Sequence, residues 1–197
     1  MQVIQGIVLA AGMGRRIGMH KALLTLRDQT LHHRAVSVLL GAGLDVVVVV
    51  NEVVNEALPP PGAGERRLIN HDPDQAAGMY SSVRLGVAKA VRAGATGALL
   101  LPVDHPLVSR EDVAAVMACL GTGAAIVVAT HEGRRGHPVG VSAPVMAEIL
   151  AEPLSSTLRD IVRRDPSRVV EVAASEGVLV GINTRDDLER VSNRTFR

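Results

Sequence analysis

Gly6 to Lys21, which reads GIVLAAGMGRRIGMHK, is the stretch of this sequence best equipped for chemistry. Its apolar run Ile7-Val8-Leu9-Ala10 suits a strand buried on both faces. The run breaks into Ala11-Gly12-Met13-Gly14, where small residues let the chain turn sharply and bring backbone N–H groups close to a ligand. Arg15, Arg16 and Lys21 follow at once. Bare backbone donors and cations together, just past the carboxyl end of a strand, suit a polyphosphate. Two other readings of these residues stand beside that one. Gly12, Gly14 and Gly18 could form a dinucleotide fingerprint, which would make a dehydrogenase, or the arginines could decorate an ordinary turn. The fingerprint wants an acid about 20 residues further on, whereas Asn51 and Glu52 lie well beyond that distance. A P-loop is excluded, because no Gly-Lys-Ser/Thr follows the glycines.

The pattern Leu9-Ala10-Ala11-Gly12-x-Gly14-x-Arg16-x-Gly18-x-x-Lys21 resembles the signature loop of the MobA-like nucleotidyltransferases. Further segments, spread from Gly6 to Leu188, are similar to its molybdenum cofactor cytidylyltransferase branch, whose loop usually has Ser where this chain has Gly14. The resemblance implies that Leu9, Ala10 and Ala11 adjoin the nucleotide, that Gly12 and Gly14 offer it backbone donors, and that Arg16 and Lys21 neutralise its triphosphate. It implies transfer of CMP from CTP to a molybdopterin phosphate, with release of pyrophosphate. Both substrates are anionic, so most of the protein's task is to neutralise charge and align the attack. The acceptor phosphate supplies the nucleophile, and none is needed from the protein.

Such chemistry uses magnesium, which prefers oxygen ligands and takes one or two carboxylates besides water and phosphate. Asp104 ends an apolar strand, where an open α/β sheet collects its ligands, and Pro106 halts the chain beyond it. An Asp that merely starts a turn would look the same. The segment around it, Leu101 to Val108, is similar to the family's Asp-x-Pro segment, whose Asp binds the metal; His105 stands where relatives often have Gln. Asn183 offers a second oxygen ligand, or else caps a helix beside Thr184. Relatives often carry an acidic or amide residue at the Gly181 position as well.

Gly78-Met79-Tyr80-Ser81-Ser82-Val83-Arg84 resembles the segment that lies against base and ribose in the cytidylyl branch, with Gly78, Ser81 and Ser82 in contact. The same residues could be an ordinary helix start, with either serine as its cap. Gly133 to Pro138 is similar to the branch's Gly-His-Pro loop, in which Arg134, Arg135 and His137 would face the acceptor's phosphate or pterin; a solvated turn is the other reading. The histidines show no paired metal-ligand spacing, so His137 is not a zinc ligand. GTP in place of CTP, a sugar phosphate or phospho-alcohol as acceptor, and a carrier without turnover remain as alternatives. A molybdoenzyme that takes the product is the one protein partner implied.

These residues need a scaffold of buried strands with loops at one end. Apolar runs at Ala98–Val103 and Ala124–Ala129, and at positions 46–50, read as buried strands, with a shorter strand from Arg67 to Asn70. Between them lie helical patterns. Thr30 caps one with Leu31, Ala35, Val38 and Leu39 inward; another opens at Gly78 with Val83, Val87, Ala90 and Val91 inward; Ser109 and Asp112 have capping-box spacing for a third. Strands are further expected near Val139, at Val169–Val172 and at Val178–Ile182, with helices near Pro144–Leu150, up to Arg164, and from Thr184 to Val191. The alternation predicts one three-layer α/β/α domain over residues 1–197 with a largely parallel, Rossmann-like sheet.

Composition narrows the function classes. The 197 residues are 47% apolar and only 1% aromatic, so aliphatic side chains build the core. A net charge of +1 gives no field for a nucleic-acid backbone, and Tyr80 and Phe196 are the only aromatics available for stacking on bases. Cys119 is the sole cysteine and is expected as a small buried hydrophobe; with no disulfide possible in the chain, a reducing, cytoplasmic setting is expected. No apolar stretch reaches membrane-spanning length, and the N-terminus lacks the pattern of a signal peptide. His32 and His33 read as surface residues.

Overall fold

The computed structural model describes residues 3–71 and 78–193; Phe196 lies outside them. In chain order the elements are β1 (Ile4–Leu9), the short strands β2 (Thr25–Leu26) and β3 (Gln29–Thr30), α1 (Leu31–Gly41), β4 (Val46–Val50), α2 (Glu52–Ala57), β5 (Glu65–Ile69), α3 (Gly78–Arg92), β6 (Gly97–Pro102) and α4 (Arg110–Gly121). There follow β7 (Ile126–His131), β8 (Arg134–Ser142), α5 (Ala143–Ala151), α6 (Leu158–Arg164), β9 (Val169–Ala173) and α7 (Arg185–Asn193). Seven strands form one sheet in the order β5-β4-β1-β6-β8-β7-β9. All neighbours are parallel except β8, which runs antiparallel to both β6 and β7.

Successive residues of a strand point to opposite faces, and here both faces are covered. Val8, Val46, Val48, Leu99 and Leu101 pack toward α1, α2 and α4. Ile7, Val47, Val49, Leu100 and Val128 pack toward α3, α5 and α6. That double burial explains why the central strands read as unbroken aliphatic runs. The chain is therefore a three-layer α/β/α structure. Its sheet order grows outward from β1 in one direction through β4 and β5 and in the other through β6, so a crevice opens beyond the carboxyl ends of β1 and β6.

Caps place the helices. Thr30 Oγ1 accepts from the His33 amide at the start of α1, and Ser109 and Asp112 close a reciprocal box at the start of α4. Asp112 does more than cap: it is buried, and its carboxylate also accepts from the Ser175 amide at 2.7 Å and from the Ser175 hydroxyl at 2.8 Å. Buried oxygens with this many donors are satisfied away from water, and they pin the turn that follows β9 to the start of α4.

Four expectations are corrected. Val178 to Ile182 is not a strand: Glu176–Leu179 form a 3-10 turn whose Val178 is fully buried, and the following residues join no strand although Ile182 reaches the core, so the apolar run reflects the burial of Val178 and Ile182. Val91 is 44% exposed, and the fully buried Ala90 takes the inward position in the last turn of α3. Cys119 is only partly buried. His32 is buried rather than on the surface, its Nε2 lying 3.1 Å from Glu65 Oε1, which also receives Arg67 Nε at 2.8 Å. The helix α2 has too little periodicity to be foreseen; Asn51 creates it by capping Val54.

Candidate active site

The crevice at the ends of β1 and β6 holds a cleft of about 400 Å³. Local bonding fixes what lines it. The Val103 amide donates to Leu9 O at 3.1 Å, carrying the β1–β6 register one step past Pro102 and setting Asp104 at the cleft. The Ile182 amide donates to Asp104 O at 2.8 Å, which lays the segment before α7 alongside Asp104. Asp187 then holds that segment from the other side, accepting from the Asn183 and Thr184 amides at 3.0 and 2.9 Å. These contacts bring together two residues 79 positions apart in sequence.

Lys21 joins them. Its Nζ donates to Asp104 Oδ2 at 2.6 Å and to Asn183 Oδ1 at 2.7 Å. The side chains of Lys21 and Asp104 are 17% and 20% exposed, so this contact is half-shielded and lies at the wall of the cleft rather than on open surface. Two oxygens converging on one ammonium form an oxygen-lined cation position, of the donor type that magnesium takes.

The glycine loop closes one side of the cleft. Ala11, Gly12 and Gly14 line it with Arg15 and Arg16, both exposed at its mouth. Gly14 has φ +55°, and a β-carbon there would come within 2.1 Å of Met19 O. This loop shape thus has no room for the serine usual at this position. Asn51 supports the loop by donating to Ala11 O at 2.8 Å. Opposite, Gly78, Ser81 and Ser82 open α3 against the cleft, and Asn70 Nδ2 donates to both serine hydroxyls at 2.9 and 3.0 Å. Leu9 completes the floor, whereas Ala10 is fully buried in the core and presents no surface to a ligand.

His137 lies elsewhere, in a second cavity of about 600 Å³. This cavity adjoins the first across Leu9, Gly78, Met79 and Pro102, which line both. The His105 ring lies 4.5 Å from the His137 ring in an edge-on arrangement, with its Nε2 3.9 Å from Asp104 Oδ1. Burial holds the His105 imidazole below its ordinary range, against the pull of Asp104.

A match to the MobA-like NTP transferase domain covers residues 6–170. The chain belongs to that family. It is a nucleotidyltransferase, similar over 98% of its length to the molybdenum cofactor cytidylyltransferase of Escherichia coli, at 25% identity and 98% of that protein. It is also similar to the molybdenum cofactor guanylyltransferase of Acidiphilium cryptum, at 29% identity over 94% of this chain and 92% of that protein. Among solved structures, Rv0371c of Mycobacterium tuberculosis superposes with a TM-score of 0.81 at 27% identity, covering 98% of this chain and 99% of that one. The same protein in complex with manganese superposes with a TM-score of 0.78 at 26% identity, covering 98% and 100%.

In this nucleotidyltransferase the second cavity has its own charge pattern. Arg159 and Arg163 of α6 line it one helical turn apart, as does Arg135, whose Nε is 2.7 Å from Glu171 Oε1. The other arginine of α6, Arg164, pairs with Glu148 at 2.8 Å and Glu152 at 2.7 Å, and the buried Ile161 anchors the helix. Arg159 and Arg163 make no ion pair among the described residues and face the cavity as open cations.

Burial pushes the His137 imidazole down to about 3, with neighbouring His105 acting in the same direction. Its Nδ1 is sealed from solvent without a partner among the described residues. The ring is therefore neutral at physiological pH. Because the folded value lies below the unfolded 6.5, the unfolded chain takes the proton first. The native state keeps its full stability above that pH and loses it as pH falls toward 3, by up to about 1.4 kcal/mol per pH unit. Urea unfolding at pH 7 and pH 5 is expected to differ by at most about 2 kcal/mol more in the parent protein than in His137→Gln.

The residues that sequence reasoning did not single out are Asn51, Asn70, Arg159 and Arg163. Asn51 and Asn70 did leave a signal, since each directly follows a parallel strand at its carboxyl end. The two arginines left none, being ordinary in a charged helix.

Among the described residues no helix is long and apolar enough to cross a membrane.

Proposed function

We propose that this protein transfers CMP from CTP to the phosphate of molybdopterin cofactor, with magnesium, releasing pyrophosphate. The observation that carries the reading is the pair of cavities sharing one wall. One offers glycine-loop donors, two arginines and an oxygen-lined cation position; the other offers open cations on an aliphatic floor that includes Leu100, Val128 and Val139. Two anionic ligands seated so would meet at Leu9 and Pro102.

The glycine loop and Arg15 and Arg16 would grip the triphosphate, and Lys21 would neutralise it further. Asp104 and Asn183 would hold the divalent ion, which supplies charge neutralisation on phosphate oxygens when bound. Among the described residues no group of three or more His, Cys, Asp or Glu forms a metal cage, so phosphate and water would complete the ligand set, as they commonly do for magnesium. Ser81, Ser82 and the start of α3 would read the base by hydrogen bonds, in a cleft without aromatics. Arg159 and Arg163 would hold the acceptor's charge, and neutral His137 would add a hydrogen-bonding group. The acceptor's phosphate oxygen attacks the α-phosphorus, and pyrophosphate leaves from the opposite side.

The Gly78–Arg84 segment and the near full-length likeness to a cytidylyltransferase support CTP; the guanylyltransferase likeness makes GTP the competing donor. Pyrophosphate release measured across the four ribonucleoside triphosphates, with and without molybdopterin cofactor, tests both choices. Release is expected with CTP and only with the pterin. Release that favours GTP overturns the donor, and release that ignores the pterin overturns the acceptor.

A further inference from the structure

The two oxygens suited to a divalent ion are already occupied by a cation belonging to the protein. Lys21 Nζ sits 2.6 Å from Asp104 Oδ2 and 2.7 Å from Asn183 Oδ1. A metal bound by both oxygens and an ammonium bound by both oxygens cannot share that position, because their charges repel at contact distance. Lys21 has somewhere else to go: it lines the same cleft as Gly12, Arg15 and Arg16, and its stem is long and flexible.

We propose that Lys21 is the resident counter-cation of the metal site and makes metal entry depend on the triphosphate. This rests on the reading of Asp104 and Asn183 as metal ligands. Without nucleotide, the ammonium neutralises Asp104 and a lone divalent ion must displace it with no compensating partner. When a triphosphate enters, its oxygens accept the ammonium, and Asp104 and Asn183 become free for the ion. Metal and nucleotide therefore raise one another's affinity by the same factor, as linkage requires. Asp104 meanwhile never faces the cleft as an unpaired carboxylate.

The test measures binding of Mn²⁺ alone, by electron paramagnetic resonance of the free ion, in the parent protein, Lys21→Met, Lys21→Gln, and each of these with Asp104→Ala. Thermal melts confirm folding, and the two Lys21 variants guard against the failure of either one. Lys21→Met and Lys21→Gln are expected to bind the lone ion at least about tenfold more tightly than the parent, and a non-hydrolysable CTP analogue is expected to raise Mn²⁺ affinity in the parent far more than in the variants. Unchanged or weaker binding in both Lys21 variants, lost again on Asp104→Ala, overturns the counter-cation role while leaving Asp104 a ligand. Binding that survives Asp104→Ala overturns the metal assignment as well.

Discussion

Asp104→Ala is expected to lower CTP-dependent pyrophosphate release by about a thousandfold, the loss typical when a group stabilising transition-state charge is removed. Among the described residues Asp104 supplies the one carboxylate at the oxygen-lined position, and Asn183 adds only a neutral amide oxygen. A divalent ion held by that amide and by phosphate alone would lose its charged anchor and its alignment. The fold should survive. Asp104 lies past the end of β6, its backbone contacts through Val103 and Ile182 do not involve the side chain, and the Lys21 pair is partly solvated. Breaking such a partly shielded pair costs more than the roughly 1 kcal/mol of an exposed one and less than the roughly 3–5 kcal/mol of a fully buried one, which a domain with a large aliphatic core can absorb. Asp104→Asn keeps the shape and one oxygen and is expected to fall between the parent and Asp104→Ala. Turnover measured beside urea unfolding separates the cases, and full activity in Asp104→Ala would remove the carboxylate from the mechanism.

Arg159→Ala combined with Arg163→Ala is expected to raise KM for the pterin acceptor by about a hundredfold while leaving KM for CTP within about twofold. A hydrogen bond to a charged group contributes about 1.5–3 kcal/mol, so losing even one strong contact and weakening a second reaches that magnitude. The pair is chosen because α6 does not depend on it: Thr157 caps the helix, Ile161 buries it, and Arg164 ties it to Glu148 and Glu152. Neither residue lines the glycine-loop cleft. Steady-state kinetics with each substrate varied in turn gives the split, and an effect falling on CTP instead would place the acceptor outside this cavity.

How much of this was legible beforehand depends on the range of the interaction. Strands β1, β4, β6 and β7 were readable because burial on both faces leaves a local mark, a run of aliphatic residues. Caps at Thr30 and Ser109 were readable because they act over three residues. Asp104 stood out through its place after a strand. What stayed hidden acts across the chain. Nothing near Asp112 announces Ser175, nothing near His32 announces Glu65, and nothing near Lys21 announces that its ammonium bridges Asp104 and Asn183. Val178 to Ile182 misled for the same reason: an apolar run records that some of its side chains are covered, and a 3-10 turn under Leu107 can bury Val178 as completely as a strand would.

Tyr80 is 3% exposed, donates its hydroxyl to Ile149 O at 3.0 Å, and lines the cavity that carries Arg159 and Arg163. The chain has no tryptophan and no other tyrosine. Its ultraviolet emission is consequently that of a single phenol, undiluted by indole, at the wall of the second cavity. The molecule thus comes with a built-in optical reporter beside that cavity, and the proposed entry of the acceptor there is expected to change its emission without a dye being attached.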